Sequence, residues 1–379
     1  MHMLIAVVGV LLLVGVLRDA FETIILPRRI SRRFRLTNLV YRLTWRPWRA
    51  VAEHFPPKVR EGSLSWFGPI SLFVLLIVWA SSIILAFGLI HWADGSAVHM
   101  ATGIPDFGND VYLSGTTFFT LGMGDVTPIS TFAKAITVIE AGLGFAFLAI
   151  VIGYIPVIYQ NFSRREWAIS LLDARAGSPP CASELLWRHR DDEQRAELVA
   201  LLADWERWSA EVLESHLSYP VLAYFRSQHT NQSWLAALTT ILDSSALVMV
   251  GLDGWCMRQA ELTFAMARHA AVDLAQVFNA SRPSEPPDRL SDADYQTLIT
   301  RLEAGGMRFR STGDVQARLG ELREMYEPYV AALSNYLAIP LPTWVRQIER
   351  PDNWQGAPWG STTRPLRTQS RRERGEEHF

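Results

Sequence analysis

Apolar residues crowd into three long runs within the first 160 positions; after them they return singly, at helical spacing, among polar ones. The middle run, "GPISLFVLLIVWASSIILAFGLI" at 68–90, holds no charge and is long enough to cross a hydrocarbon core of about 30 Å. The third, "TFAKAITVIEAGLGFAFLAIVIGYIPVIYQ" at 131–160, is also long enough, with Lys134 near its start and one interior acid, Glu140. The first, "MLIAVVGVLLLVGVLRDAFETIIL" at 3–26, meets Arg18, Asp19 and Glu22 halfway and turns apolar again at Ile24. It lacks the basic leader and small-residue cleavage site of a signal peptide. We read it as a retained membrane helix; a shallow interfacial anchor is the competing reading.

The formal charge of −2 matters less than its distribution. Residues 28–60 are rich in arginine, whereas 91–131 contain no lysine or arginine at all, only acids such as Asp94, Asp106 and Asp110. Arg164 and Arg165 follow the third run. The positive-inside rule then puts the N-terminus and 91–131 outside and the C-terminal half in the cytoplasm. The basic stretch "ISRRFRLTNLVYRLTWRPWRAVAEHF" sets Leu36, Leu39, Val40 and Leu43 on one helical face, with Trp45 and Trp48 suited to the headgroup layer. Arg32, Arg33, Arg35, Arg42, Arg46 and Arg49 would face the inner leaflet and attract anionic lipid. No spanning run carries arginine at every third position, so a voltage-sensor helix is not expected.

Between the second and third runs, "NDVYLSGTTFF" at 109–119 predicts a short helix capped by Asn109 or Asp110. "TLGMGD" follows at 120–125. Non-helical backbone at membrane depth is tolerated only where it is buried in protein or lines water. Glycines at alternate positions admit geometries closed to other residues. They allow successive carbonyl oxygens to turn toward one axis and replace the water shell of a cation.

Spanning helix, short helix, threonine-x-glycine-x-glycine-aspartate and spanning helix together resemble the pore module of the tetrameric potassium channels. The resemblance covers residues 68–160. Thr120, Gly122, Gly124 and Asp125 match that family's selectivity filter, and Thr117 matches a common upstream threonine; Leu121 and Met123 stand where valine and tyrosine are usual. It implies K+ bound by the backbone carbonyls of Thr120, Leu121, Gly122 and Met123, with no other cofactor. It also implies a homotetramer, since one chain supplies one filter loop and four are needed. In the family the tyrosine is held by aromatic residues of the pore helix. Met123 has no hydroxyl, and Tyr112 and Leu113 stand opposite it. Support is therefore expected from Tyr112, Ser114, Thr116 and Thr117, around a looser filter. A weakly selective cation channel is the alternative reading, and a non-conducting membrane receptor or scaffold that kept the pore fold is the alternative of a different class.

The same layout makes 131–160 the cavity-lining helix, with a hinge or gate at Gly144, Gly153 and Pro156; proline removes a backbone donor and favours a kink. Glu140 lies about 13 Å of helix below the outer surface, level with the pore helix. An ionisable group there is a functional hypothesis by default. It either bonds a pore-helix hydroxyl such as Ser114, Thr116 or Thr117, or faces the cavity and concentrates cations.

Residues 163–349 read as helices. Leu198, Leu201, Leu202, Trp205, Trp208 and Val212 form one stripe. The segment 234–252 is apolar enough to suggest a fourth crossing, but Asp243 and its serines and threonines make it a buried core helix. "SRPSEPPDR" at 281–289 reads as a linker, Ser291 with Asp294 as a helix start, and 350–379 as a disordered basic tail. We find no strand–helix alternation with a glycine-rich turn, so no nucleotide-binding domain. No histidine pair has ligand spacing, the two cysteines match neither a metal nor a disulfide pattern, and no nucleophile–base arrangement is legible. Neither an enzyme nor a nucleic-acid partner is expected. The expectation is an all-α integral membrane protein of the plasma (cytoplasmic) membrane: a potassium-channel-like pore module with an extra N-terminal transmembrane helix and an all-helical cytoplasmic domain. Its parts are the N-terminal helix (1–27), the basic linker (28–66), the pore module (67–160; outer helix 68–91, pore helix 109–119, filter 120–125, inner helix 131–160), the helical domain (163–349) and the tail (350–379).

Overall fold

A computed structural model describes residues 1–25, 36–100, 104–229, 231–251, 256–284, 288–307, 315–346 and 352–355. The chain is an all-α membrane protein, with two three-residue strands among the described residues. It forms two compact units: Met1–Arg164 with Glu214–Arg226, and Arg165–Leu213 with Ser227–Phe379.

The first unit holds α1 (His2–Ile24), α2 (Leu36–Ala52), α3 (Pro57–Ala93), β1 (Val98–Met100), α4 (Phe107–Phe118), β2 (Val126–Pro128) and most of α5 (Thr131–Ala176). Two helices outrun their apolar runs. Helix α3 begins at Pro57, not near 68, and α5 continues to Ala176, not 160. Hydropathy marks where lipid begins and ends, whereas helical hydrogen bonding carries on into water until something stops it. Pro57 suits a helix start because its missing N–H has no helical partner to lose.

Helix α1 lies antiparallel along α3. A Cβ on Gly9 would come within 2.9 Å of the Ala86 carbonyl, so glycine permits the close backbone approach. Ten residues on, Asp19 reaches Trp79. Its carboxylate accepts from Trp79 Nε1 (2.9 Å), Thr37 Oγ1 (2.6 Å) and Thr37 N (3.1 Å), tying α1, α2 and α3 together. Arg18 and Glu22, one turn apart, pair at 2.8 Å.

Helix α2 departs from the expected face. Val40, Tyr41 and Trp45 are buried, while Leu39 and Leu43 are exposed. Trp45, expected among headgroups, packs between Phe67 (4.7 Å) and Tyr224 (5.1 Å), and Tyr41 stacks on Tyr224 (5.4 Å). Large aromatic faces gain more from burial than the leucines do, and they set the rotation of the helix. Arg42 and Arg46 are exposed, and Arg49 pairs with Glu53 at 2.7 Å. Arg32, Arg33 and Arg35 lie outside the described residues.

The single helical domain expected over 163–349 is interrupted. Residues Glu214–Arg226 belong with the membrane helices. Tyr219 meets Tyr154 (5.7 Å), Phe225 meets Phe162 (5.6 Å), and Arg226 faces Glu61 (3.7 Å).

The second unit contains the end of α5, then α6 (Ala182–Arg188), most of α7 (Asp192–Ser218), α8 (Trp234–Gly251), α9 (Met257–Val277), α10 (Asp292–Ala304), α11 (Val315–Glu324) and α12 (Glu327–Leu337). Helix α8 is long and apolar enough to cross a membrane, yet 94% of its apolar window is buried within the fold, so no lipid face remains. Several of its polar residues find partners inside: Thr240 Oγ1 donates to the Pro180 carbonyl (3.1 Å) and Ser244 Oγ to the Thr240 carbonyl (2.7 Å). Asp243, fully buried, accepts from both Nη atoms of Arg289 and from the Tyr326 hydroxyl. Arg289, placed in a linker by its proline-rich surroundings, is thus a core residue. Burial opposes its charge, but the Asp243 carboxylate outweighs that and holds the guanidinium above its ordinary value. Part of the tail expected to be disordered is anchored. Asp352 accepts from Arg188 (2.8 Å), Arg346 (3.1 Å) and the Ser178 N–H (3.2 Å). The rest of the tail lies outside the described residues.

Two outcomes follow. Trp79→Phe removes one donor from the buried Asp19 carboxylate and lowers the stability of the detergent-solubilised chain by about 1.5–3 kcal/mol, read as a lower melting midpoint; an unchanged midpoint would sink this account of Asp19. Arg289→Leu strands Asp243 and costs about 3–5 kcal/mol near neutral pH. Burial then pushes the Asp243 carboxyl up against the Tyr326 hydroxyl alone, so the folded state takes up a proton that the unfolded state does not. The deficit therefore shrinks as pH falls through that raised value, and melting curves at stepped pH measure it.

Candidate functional site

The segment that leads into the glycine pair is built by two helix ends. Helix α4 starts one turn before the expected Asn109 or Asp110. Asp106 is the cap, its Oδ1 accepting from Asn109 N (2.9 Å) while Asn109 Oδ1 accepts from Asp106 N (3.3 Å), a reciprocal pair that satisfies two otherwise orphaned donors. At the other end Leu121 N donates to the Thr116 carbonyl (2.7 Å) and Thr120 N to the Thr117 carbonyl (2.9 Å). This double closure needs a left-handed residue in the turn. Thr120 supplies it with φ +56°. A β-branched residue is strained there, and such strain concentrates at functional positions.

The left-handed conformation then recurs at every second residue: Thr120 +56°, Gly122 +57°, Gly124 +78°, with Leu121 and Met123 at negative φ. Positive φ at every second residue keeps the segment out of regular helix and sheet, and glycine meets it without strain at two of the three positions. None of residues 120–125 is covered by its own chain; Leu121 is 62% and Met123 67% exposed. Among the described residues no cluster of three or more His, Cys, Asp or Glu could hold a metal ion.

The surroundings fix where this segment stands. Beyond it, β2 pairs antiparallel with β1, Met100 opposite Val126 and Val98 opposite Pro128. Val98 and Val126 pack on Leu113 of α4. Ser130 caps α5 through the Ala133 N–H (2.8 Å) and donates to Asp94 (2.6 Å) at the end of α3. On the inner side α5 crosses α4 so closely that a Cβ on Gly144 would collide with the Phe118 carbonyl. Gly144 is thus required by space at the root of the segment. Gly153 has open space around it, and α5 runs through Pro156 as one helix.

The expected supporting residues divide. Ser114 Oγ donates to Glu140 Oε1, joining α4 to α5. Tyr112 is 41% exposed, with Asp125 as its electrostatic neighbour. Thr116 Oγ1 donates to the Leu113 carbonyl (3.0 Å) within its own helix, and Thr117 is half-buried. Glu140 is fully buried, which excludes a side chain open to a cavity within this chain. Two residues went unforeseen beside it: His91 of α3, its Nε2 3.8 Å from Glu140 Oε2, and the fully buried Asp110. Their signal in the sequence was an ionisable residue at or near a membrane boundary, but nothing there names a partner 49 positions away.

Residues 72–161 match the model of a family described as "Ion channel". A relative in Bacillus subtilis (strain 168), the uncharacterized membrane protein YdjJ, is 25% identical over 193 residues. That alignment covers 50% of this chain and 55% of the relative, so the chain spans about half the length of the curated relative it matches. No solved structure matches the chain. The family match places an ion-channel domain over the helices and the glycine-containing segment described above.

Proposed function

We propose that four copies of this chain surround one axis and conduct K+ passively through the carbonyls of Thr120, Leu121, Gly122 and Met123. The observation that carries the reading is the positive φ at Thr120, Gly122 and Gly124 in a segment that its own chain leaves uncovered; alternation of this kind would let carbonyl oxygens gather on one side. Carbonyls so arrayed replace the hydration shell of a cation. Asp125 closes the outer end and the C-terminal end of α4 points negative charge inward. Arginine at 28–60 and its absence at 91–131 support an N-terminus outside and a cytoplasmic second unit. The exposed Arg42 and Arg46 suit anionic lipid.

Gating falls to α5, which carries Gly144, Gly153 and Pro156 and is touched near its inner end by Tyr219 and Phe225. A second reading, a weakly selective cation channel, rests on Met123: it has no hydroxyl and it is exposed. The reversal potential of purified protein in planar bilayers, K+ on one side and Na+ on the other, decides between the two. We expect the K+ equilibrium value; a value near zero with clear currents favours the second reading. Gly122→Ala forces a side chain into left-handed backbone and abolishes current while the tetramer persists on native gels. Undiminished K+ current in that variant would refute the pathway.

A further inference from the structure

Three ionisable side chains, His91 of α3, Asp110 of α4 and Glu140 of α5, keep polar atoms to spare. Glu140 gives Oε1 to Ser114, but its Oε2 has no hydrogen-bond partner among the described residues, and neither has His91 Nε2, 3.8 Å away. Both side chains are at most 2% exposed. Asp110 accepts from Ser96 Oγ (2.6 Å) through Oδ2 and leaves Oδ1 unpaired; His91 is its electrostatic neighbour too. Buried polar atoms are nearly always paired, so three orphans in one cluster call for an account. At this separation His91 and Glu140 are too far apart for a hydrogen bond, yet within reach of an ion pair.

We infer that His91 is a positioning residue for the ion pathway: a proton taken up on its imidazole closes the pair with Glu140 and, through Ser114, stiffens the helix that ends at Thr120. Ser114 lies six residues before Thr120 on α4 and its connecting turn. Acid on the face bearing Ser96 and Asp110 tightens the brace, and alkali loosens it. The charged groups of the packed elements are few. Helix α4 contributes Asp106, which acts on Asp110. Asp94 accepts from Ser130, and Asp125 is exposed beside Tyr112. Lys134 of α5, His99 of β1 and His2 of α1 are exposed. No charged residue of α1 stands at the Gly9 contact with Ala86. Histidine is the side chain that changes charge between about pH 5 and 8.

The inference rests on the reading of 120–125 as an ion pathway, but the titration itself does not. The full chain is reconstituted and the pH on the Ser96 face is lowered from about 8 to about 6. Open probability should rise several-fold in the wild type, stay flat in His91→Gln and Glu140→Gln, and keep its rise with a displaced midpoint in Asp110→Asn. In parallel, nitrogen-15 NMR of histidine-labelled protein in vesicles reads the charge of His91 whether or not current flows. Ser114→Ala separates the two: His91 still titrates while the current loses its pH dependence. A His91→Gln channel with the wild-type pH profile overturns the inference, as does an imidazole whose charge is constant across that range. Absence of current from every variant, with His91 titrating as described, would count against the channel reading and leave the proton site standing.

Discussion

A carboxyl group at membrane depth has to find its hydrogen bonds inside the protein, and Glu140 finds one on Ser114. Lipid offers no substitute partner, and an unsatisfied polar group there costs several kcal/mol. The bond therefore fixes α4 against α5, and much else in the membrane unit follows. With the two helices joined, Gly144 comes under the Phe118 carbonyl, and any larger residue would force them apart. The end of α4 is then placed, and so is the strained turn at Thr120. Ser130 and the short β1–β2 ladder hold the segment from its other end. Residues 120–125 themselves make no packing contribution to this frame.

The same physics governs the other buried acids, with different solutions. Asp19 collects three donors from two helices and welds α1 to its neighbours. Asp243, in the core of the second unit, has a guanidinium and a phenol. Burial pushes the Tyr326 phenol well above its usual value, so it stays protonated and serves as a donor at any physiological pH. One kind of residue thus serves as an inter-helix tie in the membrane unit and as a core ion pair in the other.

What the sequence showed follows a physical division. Long apolar runs and alternate glycines are local signals, and the spanning helices and the left-handed residues at 122 and 124 coincide with them. Helix ends were displaced because hydropathy reports lipid, not hydrogen bonding; α3 and α5 both continue through polar residues. The cap at Asp106 had a local signature, an acid three residues before an amide, although Asn109 and Asp110 stand nearer the apolar face. Thr120 could not be foreseen, since a β-branched residue is the last choice for its conformation. Arg289 sits among prolines that read as linker, and its partner is 46 positions earlier. His91 and Tyr224 matter through groups still more remote in the chain. Contacts of that kind leave no periodicity behind.

The return of Glu214–Arg226 to the membrane helices fixes an order of biosynthesis. Helices α1 to α5 have left the ribosome before Tyr219, Tyr224 and Phe225 exist. At about 5–20 residues per second the gap lasts a few seconds. Through that interval Tyr41, Trp45 and Phe67 present an open aromatic face with its last ring missing. Insertion and completion of the membrane unit are therefore separate events, with the first stretch of the second unit translated between them.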